Sequence, residues 1–301
     1  MIAALFTPLL FSLSVIFAGR SAKQVGPLPA NLGRLLVATC LLGIWAHYFG
    51  SGWTSSVFGW FFLSGCIGFG IGDVALFLAI TRIGPRLTIL ISQCLAAPFA
   101  ALIEWGWLGT QLSLAQLGAG ALVLAGVAVA VTCRHGMAVE GRGGSLAAGI
   151  AYGVLAALGQ AGGAVITRYA FGLTHGSGEW IDGGSSAFQR ILGGLLVSAV
   201  FLLAARRWFP TDTGVKPPVS RLTATKWIFL NALAGPALGV ACYQWALREE
   251  ASGVVMAIAA TSPVVIIPLA WLMDGDRPTA RSVAGGLVAV AGVILLIFVT
   301  F

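Results

Sequence analysis

Four charged side chains stand inside stretches that are otherwise apolar: Arg34, Asp73, Glu104 and Arg190. A charge at mid-membrane costs about 2.5–3.5 kcal/mol on insertion scales, so each needs a reason to be there. Asp73 is the most demanding. It lies some way before the polar end of its stretch at Thr81-Arg82. On a helix that separation is roughly 12 Å, too far for a short carboxylate side chain to reach water along its own helix. Such an acid carries a proton or balances a cationic group of a substrate. The structural alternative is an Asp that pairs with Arg and locks helix packing. Arg34 and Arg190 each offer a forked donor to an anionic group such as a carboxylate. For both, the alternative is a long side chain that snorkels to the lipid headgroups. By depth, Asp73 meets Arg34 more easily than Arg190. Glu104 precedes Trp105-Gly-Trp107; Trp marks membrane interfaces, so Glu104 reads as an interfacial acid.

Uncharged polar groups complete the set. Pro98 and Pro263 each remove a backbone donor and free a carbonyl about one turn earlier. Thr88, Ser92 and Gln93 lie before Pro98, and Thr261 and Ser262 before Pro263. These hydroxyls either satisfy the freed carbonyls or line a cavity between kinked helices that flex during transport. Tyr243-Gln244-Trp245, with Tyr152 and Gln160, is the remaining candidate polar lining.

The elements that must position these groups are membrane helices. Of 301 residues 58% are hydrophobic and 9% charged, against roughly 25% charged in a soluble domain. A water-soluble surface cannot be built from so few charges. Ten segments reach the roughly 20 apolar residues a crossing needs: near 2–19, 31–48, 58–80, 87–107, 115–132, 145–166, 187–205, 225–247, 252–273 and 281–299. The apolar runs are continuous rather than alternating, which disfavours a β-barrel. Met1–Gly19 has no basic residue before its apolar run, so it reads as the first membrane helix and not as a signal peptide. The turns fall at Gly26-Pro27-Leu28-Pro29, Gly84-Pro85, Gly141–Gly144, His175–Gly184 and Pro210–Arg221.

The chain repeats itself. Residues from Gly109 align without gaps with those from Gly275: Gly120, Ala125, Gly126 and Val127 meet Gly286, Ala291, Gly292 and Val293. Upstream, Pro98 aligns with Pro263, and Ala30-Asn-Leu-Gly-Arg34 with Ser186-Ala-Phe-Gln-Arg190. The halves are then 1–134 and 145–301, with five spans each. An odd number of spans gives them opposite orientations, the inverted repeat of many secondary transporters. Asp73 aligns with Leu238, so the acid belongs to one half only. The fold expected is an all-α integral membrane protein of ten transmembrane helices in two inverted five-helix repeats.

On these residues the sequence resembles the drug/metabolite transporter superfamily, specifically its EamA branch of ten-helix carriers. Arg34, Gly72-Asp73, Pro98 and Gly126 carry the likeness in the first half. Arg190, Pro263, Gly275-Asp276-Arg277-Pro278 and Gly292 carry it in the second. The chain departs from the family in having Gly109-Thr110 and Gly275-Asp276 where Gly-Glu is usual, and in lacking a basic stretch between the second and third spans. The resemblance implies a multi-pass protein of the bacterial inner membrane with both termini in the cytoplasm.

Charge implies the reverse orientation. Loops that follow odd-numbered spans hold Arg20, Lys23, Arg82, Arg86, Arg134, Arg142, Arg206, Arg207, Lys216, Arg221, Lys226, Arg277 and Arg281; the even loops and flanks hold Arg168 and Arg248. Cytoplasmic loops carry the excess of Lys and Arg, which puts both termini outside.

The leading functional expectation is a secondary carrier for a small metabolite, such as an amino acid or a related organic solute, working by alternating access, with proton coupling through Asp73 and simple facilitated exchange equally allowed. A lipid-carrier flippase on the same fold is the alternative, and an intramembrane enzyme ranks below it, since the acids are not clustered. Its partners are a small-molecule substrate and the lipid bilayer, with a homodimer allowed and no nucleic acid, because the basic residues are spread singly. No cofactor or metal is expected. Cys40, Cys66, Cys94, Cys133 and Cys242 are isolated, as are His47, His135 and His175, so no metal-ligand spacing arises. Gly68-Phe-Gly70-Ile-Gly72 lies in an apolar helix without a following Lys-Ser/Thr and is not a phosphate loop. With Gly159-x-x-x-Gly163 and Gly235-x-x-x-Gly239 it reads as a small-residue packing face.

Overall fold

The structure, a computed structural model, describes residues 2–52, 56–108, 113–132, 145–177, 179–208, 221–249, 258–275 and 279–300. Among these residues every regular element is helical. Gly109-Thr110, Cys133, His135 and Asp276-Arg277-Pro278 lie outside the described residues.

In chain order the helices are α1 (Ile2–Val25), α2 (Pro27–Tyr48), α3 (Phe58–Gly65), α4 (Asp73–Leu108), α5 (Leu114–Thr132), α6 (Leu146–Ser177), α7 (Gly183–Trp208), α8 (Arg221–Ala232), α9 (Val240–Glu249), α10 (Ser262–Asp274) and α11 (Ala280–Thr300). Two π-helical stretches replace α-helix in mid-run: Cys66–Gly72 joins α3 to α4, and Leu233–Gly239 joins α8 to α9. The Gly68-to-Gly72 packing face thus lies on a widened turn rather than on a regular α-helix. π-bulges of this kind gather at functional sites.

Two of the sequence breaks are one residue long. Gly26 adopts φ 87°, ψ 159° and Gly84 φ 78°, ψ 165°. Only glycine enters that region cheaply. The next residue in each case is proline, whose fixed φ suits the first turn of a helix. Residues 58–107 therefore form one run of 50 residues, longer than a single crossing requires, and Gly84 divides it. Four runs among the described residues are long and apolar enough to cross a membrane: Pro27–Tyr48, Phe58–Trp107, Leu146–Thr174 and Gly183–Arg207.

The two prolines expected at kinks sit differently in their helices. Pro98 sits where the α4 backbone stays helical, and the non-helical residue of α4 is Gly84. Pro263 stands in the first turn of α10, where its missing donor breaks no helical bond.

Packing depends on small residues. α6 lies along α4, α2 along α7, and α5 along α11. A Cβ on Gly159 would come within 2.6 Å of the Gly72 Cα, and one on Gly163 within 3.2 Å of the Gly68 Cα. The two expected packing faces therefore pack on each other. Between α5 and α11, Gly126 abuts Ala289 and Gly285, and Gly292 abuts Val123 and Ala119. Apolar clusters around Ile83–Ile91–Val123, Ile16–Phe77–Ile266 and Leu35–Phe188–Ile191 form the core on three sides of a central cavity.

Candidate functional site

The cavity measures about 130 Å³, against the roughly 10–15 Å³ that one water needs. Its polar groups are Arg34, Asp73, Gln93, Gln160, Arg190 and Tyr243, with Ser14 and Ser92 beside them. Seven of the residues singled out in the sequence, Ser92 among them, thus meet in one place.

Arg34 and Asp73 form an ion pair in which Nη2 donates to Oδ2. Arg34 Nε also donates to Asn31 Oδ1 at 3.0 Å, and Asn31 Nδ2 donates to Ser198 Oγ at 3.1 Å. The spacing of Asn31 and Arg34 is a helical i, i+3 pair, which places both on one face of α2. The Arg34 guanidinium lies 4.9 Å from the Phe77 ring centroid, a cation–π distance. Both Arg34 and Asp73 are buried.

Arg190, on α7, is built into the cavity wall in a similar way but with a different outcome. Its guanidinium lies 5.3 Å from the Phe69 ring centroid, and the side chain is 7% exposed. Its Nε has no hydrogen-bond partner, and no carboxylate among the described residues lies within ion-pair distance. Glycines of the π stretches make room for both guanidiniums. A Cβ on Gly68 would stand 3.3 Å from Arg190 Nη2, and a Cβ on Gly235 would stand 3.3 Å from Arg34 Nη1. Snorkelling is excluded for both arginines by their burial.

The other candidates are placed elsewhere. Tyr152 packs in the core between α4 and α6 and lies under Arg82, whose guanidinium is 4.8 Å from its ring centroid. Gln244 is fully buried, and neither its Nε2 nor its Oε1 has a partner, yet it does not line the cavity. Thr261 Oγ1 donates to the Ile258 carbonyl at 2.7 Å and Ser262 Oγ to the Ala259 carbonyl at 2.6 Å. These hydroxyls satisfy backbone acceptors at the start of α10, the structural role that the sequence left open. Glu104 pairs with Arg168 at the bundle edge, beside the ring cluster of Trp60, Trp107 and Tyr169.

Four polar side chains escaped the sequence reading. Asn31 orients Arg34. Ser14 Oγ donates to Asn231 Oδ1 at 2.7 Å, and both are buried beside the cavity. The signal was a polar residue in mid-span, weaker than a charge but of the same kind. Asp182, at the start of α7, accepts from Trp45 Nε1 (3.0 Å), Ser51 N (2.7 Å), Gly184 N (2.8 Å) and Ser185 N (3.0 Å) and Oγ (2.6 Å). Burial pushes its carboxyl up, but the Ser185, Ser51 and Trp45 donors outweigh this and hold it well below the usual carboxylate range. It fastens the end of α2 to the start of α7.

The chain matches the EamA-like transporter family over residues 1–132 and again over residues 147–298. Among curated proteins none matches. A solved crystal structure of a protein superposes with a TM-score of 0.61 at 18% identity, covering 98% of this chain and 94% of that chain; at that identity the likeness is one of fold. The family matches twice and takes in nearly the whole sequence, and the apolar helices fit a protein that passes the membrane several times. The chain belongs to the EamA-like transporter family.

Proposed function

We propose that the protein is a secondary carrier that moves a small organic solute, such as an amino acid or a related metabolite, by alternating access. The observation that carries this reading is the central cavity whose charged and polar groups come from both halves: Arg34 and Asp73 from residues 1–134, Arg190 and Tyr243 from residues 145–301. A solute bound between two halves is released when they rock about it.

Ten spans in two inverted halves are part of the proposal, and the α5–α11 contact supports it. Gly126 touches Ala289 and Gly285, while Gly292 touches Val123 and Ala119. Each pair of equivalents is separated by the same interval (292−126, 289−123 and 285−119 are all 166). A contact in which i meets j and the equivalent of j meets the equivalent of i is what a two-fold relation produces. The two π stretches, at 66–72 and 233–239, also recur at matching places in the two halves.

Asp73 is the coupling residue in this reading. Its bond to Arg34 gives a proton something to compete with, so loading a proton releases the arginine. The test is solute accumulation in reconstituted vesicles under an imposed pH gradient, comparing wild type with Asp73→Asn. Full accumulation by Asp73→Asn removes the proton role, and no movement of any solute by wild type removes the carrier reading.

A further inference from the structure

We propose that the solute carries a carboxylate and that Arg190, not Arg34, is the group that binds it. This inference rests on the carrier reading and narrows its substrate class.

The argument begins with the repeat. Arg34 and Arg190 are equivalent positions, and each lies over a phenylalanine beside a glycine of a π stretch. At Arg34 the remaining valences are filled by the chain itself: Asp73 supplies a carboxylate and Asn31 an amide oxygen. At Arg190 both partners are missing. With the π stretches matched, Gly72 to Gly239, the place of Asp73 is taken by Val240 (Leu238 in the sequence alignment), and that of Asn31 by Ala187. A buried cation with an open hydrogen-bonding edge is costly unless something pairs with it. The protein nevertheless keeps Arg190 93% buried, packs glycine against it and turns it to the cavity (exposure 7%).

The charge count sets the class of partner. Arg34 and Asp73 cancel, which leaves one positive charge in the cavity at Arg190. One carboxylate neutralises it, and the planar fork of a guanidinium matches a carboxylate's two oxygens. Tyr243 stands on the same cavity, so its phenol is placed to donate to a bound oxygen. The remaining polar groups of the wall, Ser14, Ser92, Gln93 and Gln160, are uncharged, and Phe11, Val15, Leu76, Ala161 and Val240 make the rest apolar. One net positive charge does not balance a phosphate dianion, and the apolar part of the wall suits the hydrocarbon part of an organic acid.

The experiment is thermal stabilisation of the full purified chain in detergent by matched acid and amide probes. The pairs are phenylacetate with phenylacetamide and phenylalanine with phenylalaninamide; phenyl phosphate is the fifth probe. Both acids are expected to stabilise with a Kd at least about tenfold tighter than that of the amide of the same shape. Arg190→Gln is expected to abolish the preference, and Arg190→Lys to retain it in part, since Lys keeps the charge but not the fork. If Arg190→Gln does not fold, the wild-type comparison of acid with amide decides alone. Equal stabilisation by acid and amide, no stabilisation by either acid, or tighter binding of phenyl phosphate than of both acids overturns the proposal. This readout is binding and not flux. An acid that binds at Arg190 but is not moved across vesicles overturns the carrier reading and leaves the carboxylate site standing.

Discussion

Arg34 and Asp73 hold each other in an ion pair inside the bundle, with 5% and 9% of their side chains exposed. The pair joins α2 to the start of α4, immediately after the π stretch that lines the cavity. Its worth lies less in net stability than in what remains when one member is lost. Asp73→Ala leaves a buried, unpaired guanidinium, and such a break costs about 3–5 kcal/mol. Arg34→Met combined with Asp73→Ala removes the orphan and is expected to recover most of that loss. Unfolding of the four proteins in a denaturant series gives the coupling. Additivity within about 0.5 kcal/mol means the pair is not coupled.

Gly159 and Gly172 lie in the same helix and predict opposite outcomes. A Cβ at Gly159 meets the Gly72 backbone at 2.6 Å, whereas one at Gly172 meets nothing within 4 Å. Backbone cannot yield as a side-chain tip does, so Gly159→Ala must part α6 from the π stretch. The expected loss is about 1–3 kcal/mol. Gly172→Ala is expected to be neutral or to gain up to about 1 kcal/mol from the restricted unfolded chain. Melting temperatures of the two variants check this. Equal values mean α6 does not approach the π stretch so closely.

These two cases also mark what the sequence made legible. Charges in apolar runs pointed to Arg34, Asp73 and Arg190 because the cost of burying them is large whatever the fold. The small-residue spacing at Gly68, Gly72, Gly159 and Gly163 was legible as packing, but not that the two faces would pack on each other. Partner choice needs the third dimension. The π stretches carry no periodic signal apart from their glycines, so Cys66–Gly72 read as ordinary helix. Pro263 misled for a local reason. Proline signals a break where its missing donor would have been used, and Pro263 in a first turn breaks nothing. Tyr152 looked like lining because it is polar at one end, yet its ring is core and its neighbour is Arg82.

Asp182 gives the fold a pH dependence at one end. Its folded-state carboxyl lies below the ordinary value of 3.8, so its contribution is fully present above that value. It is lost as pH falls toward the depressed folded value. As an N-cap that also holds Trp45 and Ser51, it is expected to contribute about 0.5–2 kcal/mol at pH 7. Asp182→Asn should therefore be less stable than wild type at pH 7, with the gap closing below about pH 4. Unfolding midpoints between pH 7 and pH 3 measure this. A gap that stays constant across the range assigns the difference to the amide itself rather than to the charge.

The two ends of the bundle differ in charge, and this predicts its orientation. At one end Arg20 Nη2 donates to the Met273 carbonyl at 2.5 Å, and its guanidinium lies 4.5 Å from the Trp227 ring centroid, with Lys226 Nζ 5.6 Å from the same ring. Arg82 of α4, which lies against Gly149 and Tyr152 near the start of α6, belongs to this end. At the other end the acids gather: Asp182 with Trp45, Glu179 with Ser56, and Glu104, which neutralises Arg168. The excess of Lys and Arg in short loops marks the cytoplasmic side. The basic end is then expected to face the cytoplasm, and a ten-span chain is expected to end outside. A fluorescent protein that matures only in the cytoplasm, fused after Phe301, is expected to stay dark, while an exported phosphatase at the same point is active. A bright fluorescent fusion with an inactive phosphatase reverses the orientation. It would mean that the arrangement implied by the family resemblance prevails over the charge difference between the two ends.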